Sequence, residues 1–491
     1  MHTFLAIDIG ASSGRLILGR LGDGRLEAQE IHRFANTPVQ LPTGLHWDIL
    51  RLWHEVTAGL AKLPALLDAP LDGIGIDTWA VDYALLDEAG RLLGNPHHYR
   101  DQRTAGMPDA VARSLPPERV YARTGIQQMP INTLYQLASM RAHGDRTLDH
   151  AAHLLLIPDL FHYWMTGQLV AEYTNASTTQ LLDARARCWA GDLLDALGVP
   201  ARILPDVVAP GTALGQLRPE LAAACGLRHA APVYATATHD TASAVAAVPG
   251  LDAHSAYISS GTWSLVGVEL DAPILSEQAQ HLNFTNEGGV AGSIRLLKNV
   301  GGLWLLQECQ RQWQREGRTY GWDELGALAE AAPPLRSLVD PDAPDFLSPG
   351  DMPAAIRAYC RRSGQPEPAD AGAVVRCCME SLALAYRRVI EQIEALTGRQ
   401  IRTIRMVGGG TKDATLCQLT ADACGREVVA GPVEATALGN MLVQAVASGA
   451  LPSIQAGRAA VARSAPQRTY APRPGTNWGA AQAALYREGT H

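Results

Sequence analysis

Three consecutive polar residues, His239, Asp240 and Thr241, separate an apolar segment (231–238) from an alanine-rich one (242–247). The first segment is predicted to be a strand and the second a helix. An aspartate at the start of a helix accepts hydrogen bonds from the free backbone N–H groups of the first turn. The same carboxylate could instead accept a proton from a substrate hydroxyl. The local sequence favours helix capping, so the catalytic interpretation depends on the rest of the chain.

More acidic residues lie at or just after predicted strands, where α/β folds commonly place functional groups. They are Asp8, Asp77, Asp82 and Asp101. Transfer of a phosphoryl group to an alcohol needs a carboxylate that accepts the hydroxyl proton and Mg²⁺ that shields the phosphate charge. It also needs N–H or O–H donors to the phosphoryl oxygens. Asp240 and Asp8 could fill the acidic roles. The HExxH motif does not occur, and GASSG (10–14), which has the spacing of GxSxG, lies in a glycine turn without an identifiable histidine partner.

Two segments place a glycine turn between two β-rich runs. They are FLAIDIGASSGRLILGRL (4–21) and AYISSGTWSLVGVEL (256–270), with turns at Gly10 and Gly261. Both are predicted to be β-hairpins, and their similarity indicates an internal duplication. Backbone N–H groups and small hydroxyls in such turns suit phosphate oxygens.

A third glycine-rich segment, IRTIRMVGGGTKDATLCQLTADACG (401–425), reads as a strand, a glycine loop and a helix. This order can direct the N-terminus of the helix towards an anion or a nucleotide. The segment matches neither GxGxxG nor the lysine-bearing P-loop. A tight turn without a ligand explains the three glycines equally well at this point.

Length and composition predict a folded α/β chain of more than one domain. The chain has 491 residues, of which 47% are hydrophobic and 18% charged. The predicted domains are 1–248 and 249–491, with a ligand cleft between them. The net charge of -8 and the lack of a dense basic stripe argue against nucleic acid as a partner.

The sequence also predicts the cellular setting of the protein. The N-terminal run is interrupted by Asp8 and has no basic start, and no apolar stretch is long enough to span a bilayer. We therefore expect a cytoplasmic protein without a membrane partner. The eight cysteines lack the spacing of a zinc site and are predicted to be structural thiols, although Cys360 and Cys377 could lie close together.

Several short segments, in this order along the chain, resemble the FGGY family of carbohydrate kinases. They are DIGASSGR (8–15), THDTAS (238–243), SSGTWS (259–264), VGGGT (407–411) and GPVEATALGN (431–440). The resemblance extends from residue 4 to about residue 447. It implies two duplicated domains of the actin-like or RNase H-like ATPase fold, with a catalytic cleft between the domains.

Further segments narrow the resemblance to family members that phosphorylate the 1-hydroxyl of L-rhamnulose with ATP and Mg²⁺. They include GIDTWAVDYALLD, YRDQRT, NTLYQL, EYTNASTTQL, NFTNEGG and LKNVGGLWLLQE. The resemblance implies that Asp240 is the general base and that His239, Thr241 and Asn299 contact the sugar. The implied ATP contacts are Ala11, Ser12, Ser13, Gly14, Arg15, Thr262, Gln307 and Gly409. Asp8 and Asp240 are the candidates for holding Mg²⁺.

The segment that resembles the family's substrate strand departs from it at one position. This chain has Ala80 after Trp79, where the family normally has glycine. Ala80 is an expected sugar contact, and its β-carbon fits only where φ is negative and the ligand leaves space. Kinases for L-fuculose, L-xylulose or L-ribulose therefore stay open as alternatives. A noncatalytic nucleotide-binding module and a phosphohydrolase on the same fold are rivals from other functional classes.

Overall fold

The computed structural model describes residues 1–347 and 349–487. It divides into two compact units. The first unit contains Met1–Gly250, Glu269–Leu296 and Ala435–Ser464, and the second contains Leu251–Val268, Leu297–Glu434 and Ala465–His491. The predicted domain boundary at residue 248 stays a prediction. Among the described residues, every helix is too short or too polar to cross a membrane.

The chain forms strands and helices in alternation. The strands are β1 His2–Ile9, β2 Ser13–Gly22, β3 Arg25–Ala35, β4 Val39–Leu41, β5 Gly44–His46, β6 Gly73–Thr78, β7 Tyr83–Leu86, β8 His153–Leu156, β9 Ala171–Glu172, β10 Val207–Val208, β11 Thr212–Gln216, β12 Pro232–Ala235, β13 Ser255–Ser260, β14 Trp263–Leu270, β15 Thr285–Gly288, β16 Ile294–Gly301, β17 Thr403–Val407, β18 Glu427–Ala430 and β19 Arg468–Tyr470.

The helices are α1 Ile49–Leu60, α2 Met107–Ala112, α3 Pro117–Thr124, α4 Thr133–Ala142, α5 Thr147–His150, α6 Ile157–Thr166, α7 Tyr173–Ala176, α8 Gly191–Leu197, α9 Pro219–Ala224, α10 Asp240–Ala246, α11 Glu277–His281, α12 Trp304–Arg315, α13 Trp322–Ala331, α14 Met352–Arg362, α15 Ala371–Thr397, α16 Ala414–Cys424, α17 Ala435–Ala447, α18 Ile454–Ser464 and α19 Trp478–Leu485.

The first unit is built on a six-stranded sheet in the order β11-β12-β6-β1-β2-β3. Strands β12, β6 and β1 are parallel, whereas β1, β2 and β3 form an antiparallel meander. The central strand β1 is buried from Phe4 to Ile9, which explains its continuous apolar sequence. The parallel strands therefore end at one edge of this sheet, next to the β1–β2 turn.

The second unit repeats this arrangement with the strands β19-β18-β17-β13-β14. Strands β18, β17 and β13 are parallel, and β14 and β19 are antiparallel to their neighbours. In both units a hairpin follows the first strand, and its glycine N–H bonds a carbonyl across the turn: Gly10 to Ser13 and Gly261 to Trp263, each at 2.9 Å. The predicted internal duplication and α/β fold class are thus present.

The apolar segment 74–87 is divided between two strands. It forms β6 and β7, which belong to different sheets and are separated by a turn at 79–82. The eight cysteines are free thiols, as expected. Cys360 and Cys377 lie close enough for their thiols to hydrogen-bond, and this contact lowers the pKa of Cys360.

Candidate active site

Helix α10 begins at Asp240, and the residue that caps it is His239, whose side chain makes no capping hydrogen bond. The helix-capping interpretation of Asp240 is therefore wrong. The Asp240 carboxylate instead accepts a hydrogen bond from the Thr241 hydroxyl at 3.2 Å. The Asp240 side chain is 31% exposed, so the carboxylate is open to a ligand while its neighbours are buried.

The backbone that precedes Asp240 is held on two sides. The N–H of Thr78, at the end of β6, donates to the carbonyl of Thr238 at 2.8 Å. The N–H of His239 donates to the hydroxyl of Thr174 at 3.2 Å. Because these bonds join β6 and α7 to the 238–239 backbone, the start of α10 has little freedom to move.

Glu172 is the centre of this support. Its fully buried carboxylate accepts hydrogen bonds from the N–H and hydroxyl groups of both Thr174 and Thr238, and from the N–H of Asn175. Burial raises its pKa to about 7, and the Thr174 and Thr238 donors counteract this effect. Glu172 thus ties α7 to the residue before His239.

Three carboxylates lie close together in the first unit. Asp8 on β1 is in register with Asp77 on the parallel strand β6, and both interact electrostatically with Asp240. Arg15 lies opposite Asp8 on β2 and donates to it at 2.6 Å. Asn440 of α17 donates to Asp77 at 2.5 Å. The guanidinium of Arg15 therefore lies beside a group of three carboxylates.

This crowding raises the pKa values of two of the carboxyl groups. Burial is the largest cause for Asp77, whose pKa lies well above its ordinary value, and the negative charge of Asp8 adds to it. Burial also raises the pKa of Asp240, and the neighbouring His239 opposes the rise. A carboxyl group with a raised pKa is a stronger base, which suits acceptance of a hydroxyl proton.

The residues present fit Mg²⁺ that is held largely by phosphate and water. No cluster of three or more His, Cys, Asp or Glu side chains among residues 1–347 and 349–487 forms a ready-made metal cage. Asp8 and Asp240 nevertheless offer carboxylate oxygens, the donors that Mg²⁺ prefers. In addition, Oδ1 of the buried Asp77 has no hydrogen-bond partner within the described structure, so the charge of this carboxylate is incompletely balanced.

His239 lies in a buried ionic cluster. Its Nε2 is 3.4 Å from Oδ1 of Asp240, and its Nδ1 is 3.2 Å from Oε2 of Glu287. Arg295 places one guanidinium nitrogen 3.1 Å from the same Nδ1 and 3.0 Å from Glu287. The imidazole thus connects the Glu287–Arg295 pair with the exposed carboxylate of Asp240.

Ala80 lies in the tight turn between β6 and β7. The N–H of Asp82 donates back to the carbonyl of Ala80 at 2.9 Å, and the strain falls on Val81, whose φ is 67°. Ala80 itself is not among the residues with positive φ, so its backbone does not require glycine. Asn175 reaches the carbonyls of Trp79 and Thr238, each at 3.4 Å, and so places this turn beside the start of α10.

The buried carboxylate of Asp82 holds the turn in place. It accepts hydrogen bonds from the indoles of Trp47 at 2.6 Å and Trp79 at 2.9 Å, and from Gln136 at 2.8 Å. The two indole rings lie 4.1 Å apart. Burial raises the pKa of Asp82 to about 6, against the effect of these donors.

The predicted phosphate turn, residues 11–15, joins β1 to β2 beside Asp8. Ser12 is exposed, Ala11, Ser13 and Arg15 are half-buried, and Gly14 is buried against the ring of Phe34. Asn36 holds the turn in place. Its backbone N–H donates to the carbonyl of Ser12, and its side-chain amide donates to the carbonyl of Gly10. Its exposed side remains available to a ligand.

The remaining predicted nucleotide contacts lie in the second unit, where the structure brings them together. The Thr262 hydroxyl donates to the amide oxygen of Gln307 on α12 at 3.3 Å. Gly409 is exposed at the end of β17, and a β-carbon there would meet no atom within 4 Å. The preceding Gly408, with φ of 85°, packs against the carbonyl of Ser260, directly before the Gly261 turn. Asn299, the predicted sugar contact, is half-buried on β16.

Sequence reasoning did not single out four residues that shape the site. They are Glu172, Glu287, Arg295 and Asn440. Three of them occur in segments that carry the family resemblance, namely EYTNASTTQL, NFTNEGG and GPVEATALGN. Arg295 lies in none of the quoted segments, and no local pattern distinguishes it from an arginine on a strand surface.

Comparisons with known proteins match nearly the whole chain. The N-terminal domain model of the FGGY family of carbohydrate kinases matches residues 3–247, and its C-terminal domain model matches residues 256–448. A rhamnulokinase of Bacteroides thetaiotaomicron is 46% identical over 480 residues, covering 98% of each chain. A rhamnulokinase of Pectobacterium carotovorum is 47% identical over 479 residues, covering 96% of this chain and 94% of the relative.

Solved structures show the same fold at low sequence identity. A xylulose kinase from Lactobacillus acidophilus superposes with a TM-score of 0.80 at 17% identity, covering 99% of this chain and 96% of that one. A xylulose kinase from Rhodospirillum rubrum gives a TM-score of 0.77 at 19% identity, with 98% and 97% covered. With both family models and relatives of this identity matched along its length, the chain belongs to the FGGY family of carbohydrate kinases and has its two-domain actin-like fold.

Proposed function

We propose that this kinase transfers the γ-phosphoryl group of ATP to the 1-hydroxyl of L-rhamnulose, with Asp240 as the general base. The observation that supports L-rhamnulose as the substrate is the 46–47% identity, over at least 94% of each chain, to two proteins named as rhamnulokinases. Membership of a carbohydrate kinase family favours this activity over a noncatalytic nucleotide-binding module or a phosphohydrolase.

Asp240 is suited to the base role by its position and surroundings. Its partly exposed carboxylate lies at the start of a helix whose preceding backbone is held by Thr78 and Thr174. The hydroxyl oxygen of the sugar attacks the γ-phosphorus as its proton passes to Asp240, and the bond to the leaving ADP breaks. Because such transfers proceed through a loose transition state, positioning of the hydroxyl matters more than strong basicity.

The ATP contacts that we propose are described for each unit by itself. In the first unit, the turn 11–15 and the adjacent Asp8 serve phosphate groups. In the second unit, Thr262, Gln307 and Gly409 serve the nucleotide. The contact between the Thr262 hydroxyl and Gln307 supports a shared role for these two side chains. When bound, Mg²⁺ neutralises phosphate charge, and Asp8 and Asp240 are the residues that would hold it, in part through water.

The sugar is bound by His239, Thr241, Asn299 and Ala80 in this proposal. Because φ of Ala80 is negative, alanine does not strain the backbone at this position. Compared with glycine, alanine adds one methyl group, and its effect is therefore on the ligand. Discrimination by one carbon in a pocket amounts to about 1–3 kcal/mol. Ala80 is therefore the residue most able to change the preference among related ketoses.

A coupled ADP-release assay with L-rhamnulose, L-fuculose, L-xylulose, L-ribulose and glycerol tests the substrate. We expect the highest kcat/KM with L-rhamnulose. A higher kcat/KM with another acceptor would identify that acceptor as the preferred substrate, and the protein would still be a kinase.

Asp240→Asn tests the catalytic base. We expect kcat to fall by about 10²–10⁴-fold, the usual contribution of general base catalysis, while sugar binding measured by calorimetry is retained. Asp109→Asn is the matched control, because Asp109 is an exposed aspartate in the first turn of α2 and should leave kcat unchanged. Turnover of Asp240→Asn near that of the wild type would show that another group accepts the proton.

A further inference from the structure

Glu287 and Arg295 form a buried ion pair on one side of His239. Arg295 is 0% exposed and Glu287 4%. Both side chains contact the His239 imidazole, and the imidazole in turn lies beside the 31% exposed carboxylate of Asp240. The pair can therefore influence the reaction through the imidazole without a contact of its own to the sugar.

The backbone fixes where these two charges lie. Glu287 is on β15 and Arg295 is the second residue of β16, and the intervening turn is closed by a hydrogen bond from the N–H of Gly289 to the carbonyl of Ser293 at 2.9 Å. Nε of Arg295 donates to the carbonyl of Gly288 at 2.9 Å. The guanidinium is thereby anchored at one nitrogen while another nitrogen reaches His239 and Glu287.

The chemistry of the two partners restricts the imidazole. A guanidinium N–H only donates and a carboxylate only accepts, and both groups face Nδ1 of His239, Arg295 at 3.1 Å and Oε2 of Glu287 at 3.2 Å. These two contacts hold the Nδ1 edge of the ring, so that its other nitrogen, Nε2, is directed towards Asp240. That nitrogen lies 3.4 Å from Oδ1 of Asp240. Glu287 balances the charge of the buried Arg295, since an uncompensated guanidinium beside the ring would be unfavourable.

We propose that the Glu287–Arg295 pair is a positioning element that fixes the orientation of the His239 ring and, through the contact of its Nε2, the carboxylate of Asp240. This inference rests on the proposed role of Asp240. It assigns no contact with substrate to Glu287 or Arg295, and makes their influence on turnover depend on the presence of His239.

Glu287→Gln and Arg295→Lys test the proposal, the first removing the charge and the second the planar fork of donors. We expect each to lower kcat by about 10–100-fold, the effect of misplacing a reacting group by about 1 Å. The KM for ATP should stay within about twofold of the wild type, because the residues proposed to bind ATP lie elsewhere. Glu287→Asp keeps the charge on a shorter side chain and should recover part of the lost kcat.

A double-mutant cycle with His239→Ala separates this role from a purely structural one. In the His239→Ala background we expect Glu287→Gln and Arg295→Lys to cause no further loss of kcat, since the group through which they act is absent. Glu380→Gln is a control for loss of a buried carboxylate, because Glu380 is 1% exposed and pairs with Arg376 at 2.6 Å in the second unit. It should leave kcat unchanged in both backgrounds.

The outcomes distinguish this inference from the proposed function. Equal losses from Glu287→Gln with and without His239, or an unchanged kcat in both positioning variants, would overturn the inference while leaving Asp240 as the base. Full activity of Asp240→Asn would overturn the base itself. Circular dichroism and the midpoint of urea unfolding are measured for every variant, and the cycle is run with Glu287→Asp if the glutamine variant is unfolded.

Discussion

Gly439→Ala probes the contact that places the helix bearing Asp240. Helix α17 packs against α10 in the first unit, and a β-carbon on Gly439 would overlap the carbonyl oxygen of Ser243 and lie 2.6 Å from its carbonyl carbon. Contacts this short involve backbone, which cannot rotate away, so the two helices must separate.

The expected magnitude is the balance of two effects. Alanine in the interior of a helix is favoured over glycine by about 0.5–1 kcal/mol. Overpacking of a close contact costs about 1–3 kcal/mol, and more where backbone must shift. We therefore expect Gly439→Ala to lower the free energy of unfolding by about 1–2 kcal/mol, and to lower kcat as well, because displacement of α10 moves Asp240.

Urea unfolding and steady-state kinetics measure both effects. Gly326→Ala is the matched control, since Gly326 lies inside α13 and a β-carbon there would meet no atom within 4 Å. That variant should be more stable than the wild type by about 0.5–1 kcal/mol, with unchanged kcat. If Gly439→Ala were as stable and as active as Gly326→Ala, the close approach of α10 and α17 would be refuted.

Two further predictions concern pH. Because the pKa of Glu172 is raised from 4.5 to about 7 in the folded protein, its contribution to stability is complete below pH 4.5 and is lost as the pH rises through 7. The contribution amounts to about 3 kcal/mol, and unfolding measured from pH 5 to 8 should show this component in the wild type but not in Glu172→Gln. Similarly, the pKa of about 6 at Asp82, beside two indoles, predicts a change in tryptophan fluorescence near pH 6. Asp82→Asn should abolish that change, and its persistence would assign it to another group.

Local sequence determined the elements that carry the proposed nucleotide contacts and Asp240. The turns at Gly10 and Gly261 were predictable as hairpins because glycine and small polar residues between two β-rich runs readily adopt the backbone conformations of a tight turn. The strand before His239 and the helix after Asp240 follow from the change in apolar periodicity at these residues. The order of the short segments was sufficient for the family, which the matched domain models confirm.

Tertiary structure alone decided which side chains surround Asp77, His239 and Asp240. Asn440 lies 363 residues from Asp77, yet donates to its buried carboxylate. Glu287 and Arg295 meet His239 only because the turn after β15 brings both charges to one buried position. No local pattern records such contacts, because they depend on burial and on the pairing of distant strands and helices.

Local sequence thus placed an aspartate between a strand and a helix and allowed two roles for it, a helix cap and a base. The structure decided the question against the cap, since His239 takes that position and the Asp240 carboxylate remains partly exposed. The physical reason is that a helix cap is defined by the backbone conformation of one residue. That conformation here is set by hydrogen bonds from Thr78 and Thr174, which lie far away in the chain.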